Sequence, residues 1–298
     1  MAFFCCLFFR KLNFKLLLLF FKYSLFNKKT MTFKSNFATL FVGIILTSSF
    51  FNLTSCSEPK KEEKIVTTKL SQEDAMNAEM KAIDAEIQTA GKVVTSLRYG
   101  LENGEYVVVN AHLSSNDEIL KIEEEFNDGE KGNTGINAFY LKDGNVFLTR
   151  EYMEDRAVKS APKFIERISY YDKKEKVQKT IEKRVDFEEE IDNASFVPTK
   201  LHAVSIERAK KVLDQKDEFE ITFQGIFDMN ATNFLSVGSP EKNGYTSTIR
   251  CEYDDDFIRL LLSDQKKYLN KKIQVSFQNI EDGTGMVYQS YIQGKFEE

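Results

Sequence analysis

The chain has 298 residues, 42% of them hydrophobic, with 41 basic and 46 acidic side chains and a net charge of −5. That is enough apolar material for one large core or two ordinary ones. The charge is unevenly spread: seven basic residues (Arg10, Lys11, Lys15, Lys22, Lys28, Lys29, Lys34) and no acidic ones stand in the first 56 positions. Beyond them 34 basic residues face 46 acidic ones, a net charge of −12. Such a surface repels phosphate backbones and anionic lipid, which argues against nonspecific nucleic-acid binding.

Residues 1–30 are nearly all Phe, Leu and Lys. Their apolar runs, 3–9 and 16–21, are too short to span a bilayer. Met31 opens a complete signal of its own, so translation is expected to start there, with 1–30 a mis-called start. A long basic n-region is the other reading. Lys34 supplies the n-region charge, 37–46 an apolar h-region, and Thr47, Ser48 and Ser49 the small residues that follow. The stretch Leu53-Thr54-Ser55-Cys56 resembles a bacterial lipobox. The resemblance implies that the signal peptide 31–55 is removed and that Cys56 carries a lipid anchor to the membrane. It also implies a place in the cell envelope, at the outer membrane, with the periplasmic or surface-facing leaflet left open. Two plainer readings compete. Residues 35–55 form an uncharged run of 21, long enough for an uncleaved membrane helix, and an ordinary signal could precede a chance Cys. From Cys56 to position 70 the polar sequence, beginning Ser57-Glu58-Pro59-Lys60, cannot bury a core and reads as a tether.

The fold class expected is mainly β (α+β). An ordered domain at 71–195 opens with a capping box, Ser71-Gln72-Glu73-Asp74. Met76, Met80, Ile83 and Ile87 then mark one face of a helix to about Ala90, with core packing as their role. From Tyr106 the period becomes strand-like. Strands are expected at 105–113 and 118–126, 136–141 and 145–152, 164–171 and 176–184. Each pair flanks turn residues, Asp143-Gly144 being the strongest hairpin signal. Such an antiparallel meander can be covered on one face by the helix.

The acidic, then Asn-, Ser- and Pro-bearing stretch 186–198 suggests a domain boundary, with a second domain at 200–298. Ile206, Ala209, Val212 and Leu213 suggest a short helix. Strands are expected at 218–227, 234–238 and 245–253, then a helix starting at Asp254-Asp255-Asp256, then strands at 272–280 and 286–296. Three strands, a helix and two strands is the order of a five-stranded OB-fold barrel. Phe223-Gln224-Gly225, Ile249-Arg250-Cys251, the Leu-rich helix and Tyr291-Ile292-x-Gly294 resemble the bacterial tRNA-anticodon-binding-like OB family. The resemblance covers about 80 residues and implies the fold rather than a ligand.

Chemistry is sparsely marked. An OB domain binds mainly on its second and third strands, and parity turns Phe234, Ser236, Thr246, Thr248 and Arg250 outward as ligand-binding candidates. One aromatic and one base, with Glu252 beside them, are too few for a single-strand binder, so nucleic acid is not the expected partner. A protein or glycan is. His112 and His202 have no metal-spaced partner and read as structural. The Cys residues left after the leader, Cys56 and Cys251, offer neither an intramolecular disulfide nor a Cys metal site. The Gly-rich run 129–135 lacks the Gly-Lys-Ser/Thr ending of a phosphate loop and reads as a hairpin turn. Asp254 to Asp256 reads as helix capping, and the acidic runs 123–125 and 188–190 as solvated faces. No catalytic residue, metal site or cofactor is therefore assigned. The expected function is a non-catalytic binding or assembly module. The rival is a cell-envelope hydrolase using paired carboxylates.

Overall fold

The computed structural model describes residues 71–129, 132–156 and 163–297. The leader, Cys56 and the tether lie outside the described residues. Ser71 caps helix α1 (Gln72–Ala90), its hydroxyl accepting the Asp74 N–H at 3.1 Å. Met76, Met80, Ile83 and Ile87 pack on Ala138, Tyr140, Leu148, Ile168 and Tyr170 of the sheet below. Each such side chain, fully buried, stabilises by roughly 1.5–3 kcal/mol. The four-three-four spacing in the sequence thus has the role expected of it.

The protein is mainly β, with an open, largely antiparallel sheet. The meander is β3 (Glu105–Leu113), β4 (Ile119–Asp128), β5 (Asn133–Lys142), β6 (Asn145–Asp155), β7 (Phe164–Tyr171) and β8 (Val177–Val185). Asp143 and Gly144 both take positive φ, 53° and 78°, the geometry of the tight turn that fits strand twist. The β4–β5 turn holds Gly129 at φ +59°, where a Cβ would meet the Asn103 carbonyl at 2.8 Å. Three short strands escaped the sequence pattern: β1 (Lys92–Thr95) and β2 (Tyr99–Gly100), both paired with β3, and β9 (Val197–Pro198), paired with β8. Two to four residues are too few to display a period of two.

The C-terminal part holds α2 (Glu207–Asp214), β10 (Thr222–Met229), β11 (Thr232–Gly238) and β12 (Thr246–Cys251). There follow α3 (Asp256–Ser263), α4 (Gln265–Tyr268), β13 (Ile273–Glu281) and β14 (Val287–Phe296). Asp255 caps α3 by accepting the Ile258 N–H at 2.8 Å. Strands pair in the order β10-β11-β12, β12 lies parallel to β14 through Arg250↔Ser290, and β14 pairs antiparallel with β13. At Gly294 on β14 the α3 residue Phe257 packs against the strand, since a Cβ there would sit 2.6 Å from its ring.

No break in the sheet occurs at 195–200. β12 pairs with β2 through Thr246↔Gly100, and one apolar cluster joins Leu97, Tyr99, Val107 and Phe139 to Phe219, Phe223, Leu235, Val237 and Ile249. The Tyr99 hydroxyl donates to the Phe219 carbonyl at 2.9 Å, and their rings meet edge-on at 5.2 Å. The residues on both sides of the expected boundary belong to one compact unit.

The same inner face carries a row of charges where the meander extends beyond that cluster. Cross-strand register aligns Glu124, Asn137, Glu151, Arg167 and Glu182, all buried. Asn137 donates to Glu124 at 2.8 Å, and Arg167 reaches Glu151 at 3.1 Å and Glu182 at 3.3 Å. The segment from 199 to α2 runs across this row. Arg208 meets Glu124 at 2.7 Å, His202 meets Glu151 at 3.2 Å, and Ser169 donates to the His202 carbonyl at 2.7 Å. The run 123–125 is therefore not a solvated face throughout, because strand alternation turns Glu124 inward against Arg208. No helix among the described residues is long and apolar enough to cross a membrane.

Candidate functional site

Phe223 is fully buried, and simple alternation would send Phe227 inward with it. The register slips between Phe223 and Gly225, and Gly225 takes φ +143°, a conformation that costs glycine little. The Gln265 side chain holds the distorted strand, accepting the Ile226 N–H at 2.7 Å and donating to the Ile226 carbonyl at 3.1 Å. Beyond the bulge the parity is reversed. Ile226 is buried and Phe227 is 45% exposed.

Phe227 then pairs across the ladder with Phe234, and Phe234 with Arg250. The two Phe rings stack at 5.5 Å and 11°. The Arg250 guanidinium lies over the Tyr288 ring at 4.8 Å, and the Tyr288 hydroxyl donates to Glu252 at 3.0 Å. Arg250 Nε is 3.0 Å from Glu252 Oε1 but off the hydrogen-bonding direction, so the ion pair leaves that N–H without a hydrogen bond. Burial first, then the bond to Glu252, pushes the Tyr288 phenol above its ordinary pKa. It therefore stays a donor at neutral pH.

All five outward candidates share this face. Ser236 sits opposite Thr248 and Gly238 opposite Thr246, with Thr246 and Thr248 exposed and Ser236 half-buried. The structure adds Phe227 and Tyr288, which sequence reasoning missed. Phe227 was hidden by the bulge, although Gly after Phe223-Gln224 is the residue that marks one. Tyr288 was hidden by the parallel β12–β14 contact, for which the sequence carries no local signal. What results is a surface with three aromatic rings and one guanidinium.

The remaining candidates are held in place structurally. His112 bonds Glu123 through Nε2 at 2.9 Å, and His202 bonds Glu151. The Cys251 thiol is buried and pushed up to about 11 by that burial, so it is not a ready nucleophile. Grooves of 820 and 790 Å³ lie elsewhere, one between α2 and the β13–β14 pair, the other between α1 and the β3–β4 hairpin. In the first, Asp214 and Glu220 are paired with Lys216 at 2.8 Å and Lys272 at 2.9 Å. Glu123 and Glu182 are shifted downward, chiefly by hydrogen bonds from His112 and Arg184 respectively, opposite to the shift a general acid needs. No family model, curated protein or solved structure matches the chain.

Proposed function

We propose that the protein is a lipid-anchored module of the cell envelope. Its C-terminal part would be an OB-type barrel that binds carbohydrate on the face of β10, β11 and β12. The barrel reading is supported by the strand order β10-β11-β12-β14-β13 with α3 between the third and fourth strands. It is supported further by the Thr222↔Lys272 bridge and the Ile273 N–H to Ile221 carbonyl bond of 3.1 Å, which join its first and fourth strands. The anchor reading rests on Leu53-Thr54-Ser55-Cys56 and the signal before it, and the outer membrane follows from the same resemblance.

The observation that carries the ligand class is the Phe227–Phe234 stack, with Phe227 exposed and Phe234 half-buried, beside Arg250 and Tyr288. Flat rings offer a surface to the apolar C–H faces of sugars, while Arg250, Glu252, Ser236 and Thr248 supply the donors and acceptors that hydroxyl groups need. Nucleic acid fits poorly, because Glu252 offsets Arg250, the cation beside the Phe pair that could neutralise a phosphate. A protein partner would bury the same rings, and Phe227→Ala alone would not separate the two. Binding of soluble linear glycans to the full chain in detergent, followed by calorimetry, is the test. The double variant Phe227→Ala/Phe234→Ala should lower affinity at least tenfold, a loss of about 1.4 kcal/mol, with its melting curve retained. Unchanged affinity in that variant would remove the site. The anchor has its own test: Cys56→Ser should abolish fatty-acid labelling, and equal labelling would sink it.

A further inference from the structure

The Arg–Tyr–Glu arrangement occurs twice. In the first, Arg250 lies over Tyr288, Tyr288 donates to Glu252, and Glu252 is ion-paired with Arg250. In the second, Arg98 lies over Tyr106 at 3.9 Å, Tyr106 donates to Glu125 at 2.9 Å, and Glu125 stands 3.7 Å from Arg98. Nothing in the sequence links the two, since their members come from 98–125 and 250–288. Both guanidiniums are partly open to solvent, Arg98 at 52% and Arg250 at 37%.

Register places both on one face. Arg250 and Thr246 point the same way along β12, Thr246 pairs with Gly100, and Gly100 pairs with Tyr106. The opposite side of these strands holds Tyr99, Val107 and Ile249 in the core. From Arg250 to Tyr106 is four residues along one strand and two strands across, about 16 Å by strand geometry. Gln289 of β14 fills the ground between, accepting the Arg98 N–H at 2.9 Å and donating to the Ser96 carbonyl at 3.0 Å. Helix α1 covers the far end of this face, over Tyr140, Leu148 and Tyr170. Ile136, beside Glu125, is 41% exposed.

We infer that the two Arg–Tyr–Glu sets are successive subsites for one linear glycan chain, laid from Phe227 and Phe234 past Tyr288 to Tyr106. The inference rests on the carbohydrate reading above and goes beyond it by fixing a polymer rather than a single sugar as the ligand. Repetition is the reason. Each set presents a guanidinium stacked on a phenol ring, with a carboxylate beside them, the same chemistry twice, as a chain of like units requires. The ligand is uncharged or nearly so, because each Arg already has a carboxylate within 4 Å, which leaves little attraction for a polyanion. A peptide strand would need open backbone groups for pairing. Around Arg250 and Tyr106 the strands β11, β12, β2, β3 and β4 each have neighbours on both sides. A β-1,4-linked chain, extended and with ring faces exposed, matches a surface of this length.

The test uses the full chain in detergent, with β-1,4-linked glucose and N-acetylglucosamine as dimers and hexamers. The hexamer of one series should bind more tightly than its dimer by on the order of tenfold or more, because the second subsite is engaged at high effective concentration. Tyr106→Ala should erase that length advantage while the dimer still binds at Phe227 and Phe234. Tyr106→Phe, which keeps the ring, should restore most of it, and melting curves confirm that each variant is folded. If Tyr106→Ala keeps the length advantage, or dimer and hexamer bind alike, the two-subsite inference is wrong while binding at Phe227 and Phe234 stands. If neither series binds the unmodified chain, both the inference and the carbohydrate reading fall.

Discussion

The inner face of the sheet is built in two ways within one molecule. Along β10 to β13 it is apolar, with Phe223, Leu235, Val237, Ile249 and Ile273 nearly or wholly buried. Across β4 to β8 it carries Glu124, Glu151, Arg167 and Glu182 at comparable burial. An apolar face tolerates the loss of one member in proportion to the cavity left. A charged row does not degrade in that graded way, because each removal strands a partner in a poor dielectric. The meander is thus more brittle than its C-terminal neighbour, although both contribute to the same compact unit.

The sharpest way to break this contrast is at Arg167, which is 9% exposed and shared between Glu151 and Glu182. Arg167→Met should destabilise by about 3–5 kcal/mol, since two carboxylates lose their common partner. The triple change Glu151→Leu, Arg167→Met, Glu182→Leu should recover most of that loss. The outer partners Arg184 and His202 are 44% and 43% exposed and can turn to water. Urea unfolding followed by circular dichroism would measure both. A triple variant no better than the single one would mean that the row contributes by attraction rather than by mutual satisfaction.

A smaller effect is expected at Glu123, on the helix-covered face. The hydrogen bond from His112 above all, aided by Lys121 and opposed by burial, lowers its carboxyl from 4.5 to about 2. A folded pKa below the unfolded one gives stability that is complete above pH 4.5 and lost as pH falls toward 2. Glu123 is 32% exposed, so the contribution is on the order of 1–2 kcal/mol after solvent screening. Unfolding curves at pH 6 and pH 3 should therefore converge in Glu123→Gln relative to the unmodified protein. An identical pH slope in the variant would show that other carboxylates carry the acid sensitivity.

Local sequence determined what depends on neighbours along the chain. The capping box at Ser71, the four-residue recurrence from Met76 to Ile87, the Asp143-Gly144 turn and the alternation Leu235, Val237 or Ile249, Cys251 each involve residues within a few positions. Their physics, hydrogen bonding of orphan amides and the periods of helix and strand, acts at that range. The candidates Phe234, Ser236, Thr246, Thr248 and Arg250 were legible on the same ground, since alternation alone puts them on one face. What alternation cannot give is register, and only the tertiary structure decided it. The Gly225 bulge reversed the parity that brings Phe227 beside Phe234. The parallel contact of β12 with β14 set Tyr288 under Arg250, and the pairing of β12 with β2 brought Tyr106 to the same surface. Glu124, read as one acid in a solvated run, is buried because Arg208 lies across it from 84 positions away. Pairing energies of this kind depend on which strands meet, and that choice belongs to the packing of the whole sheet.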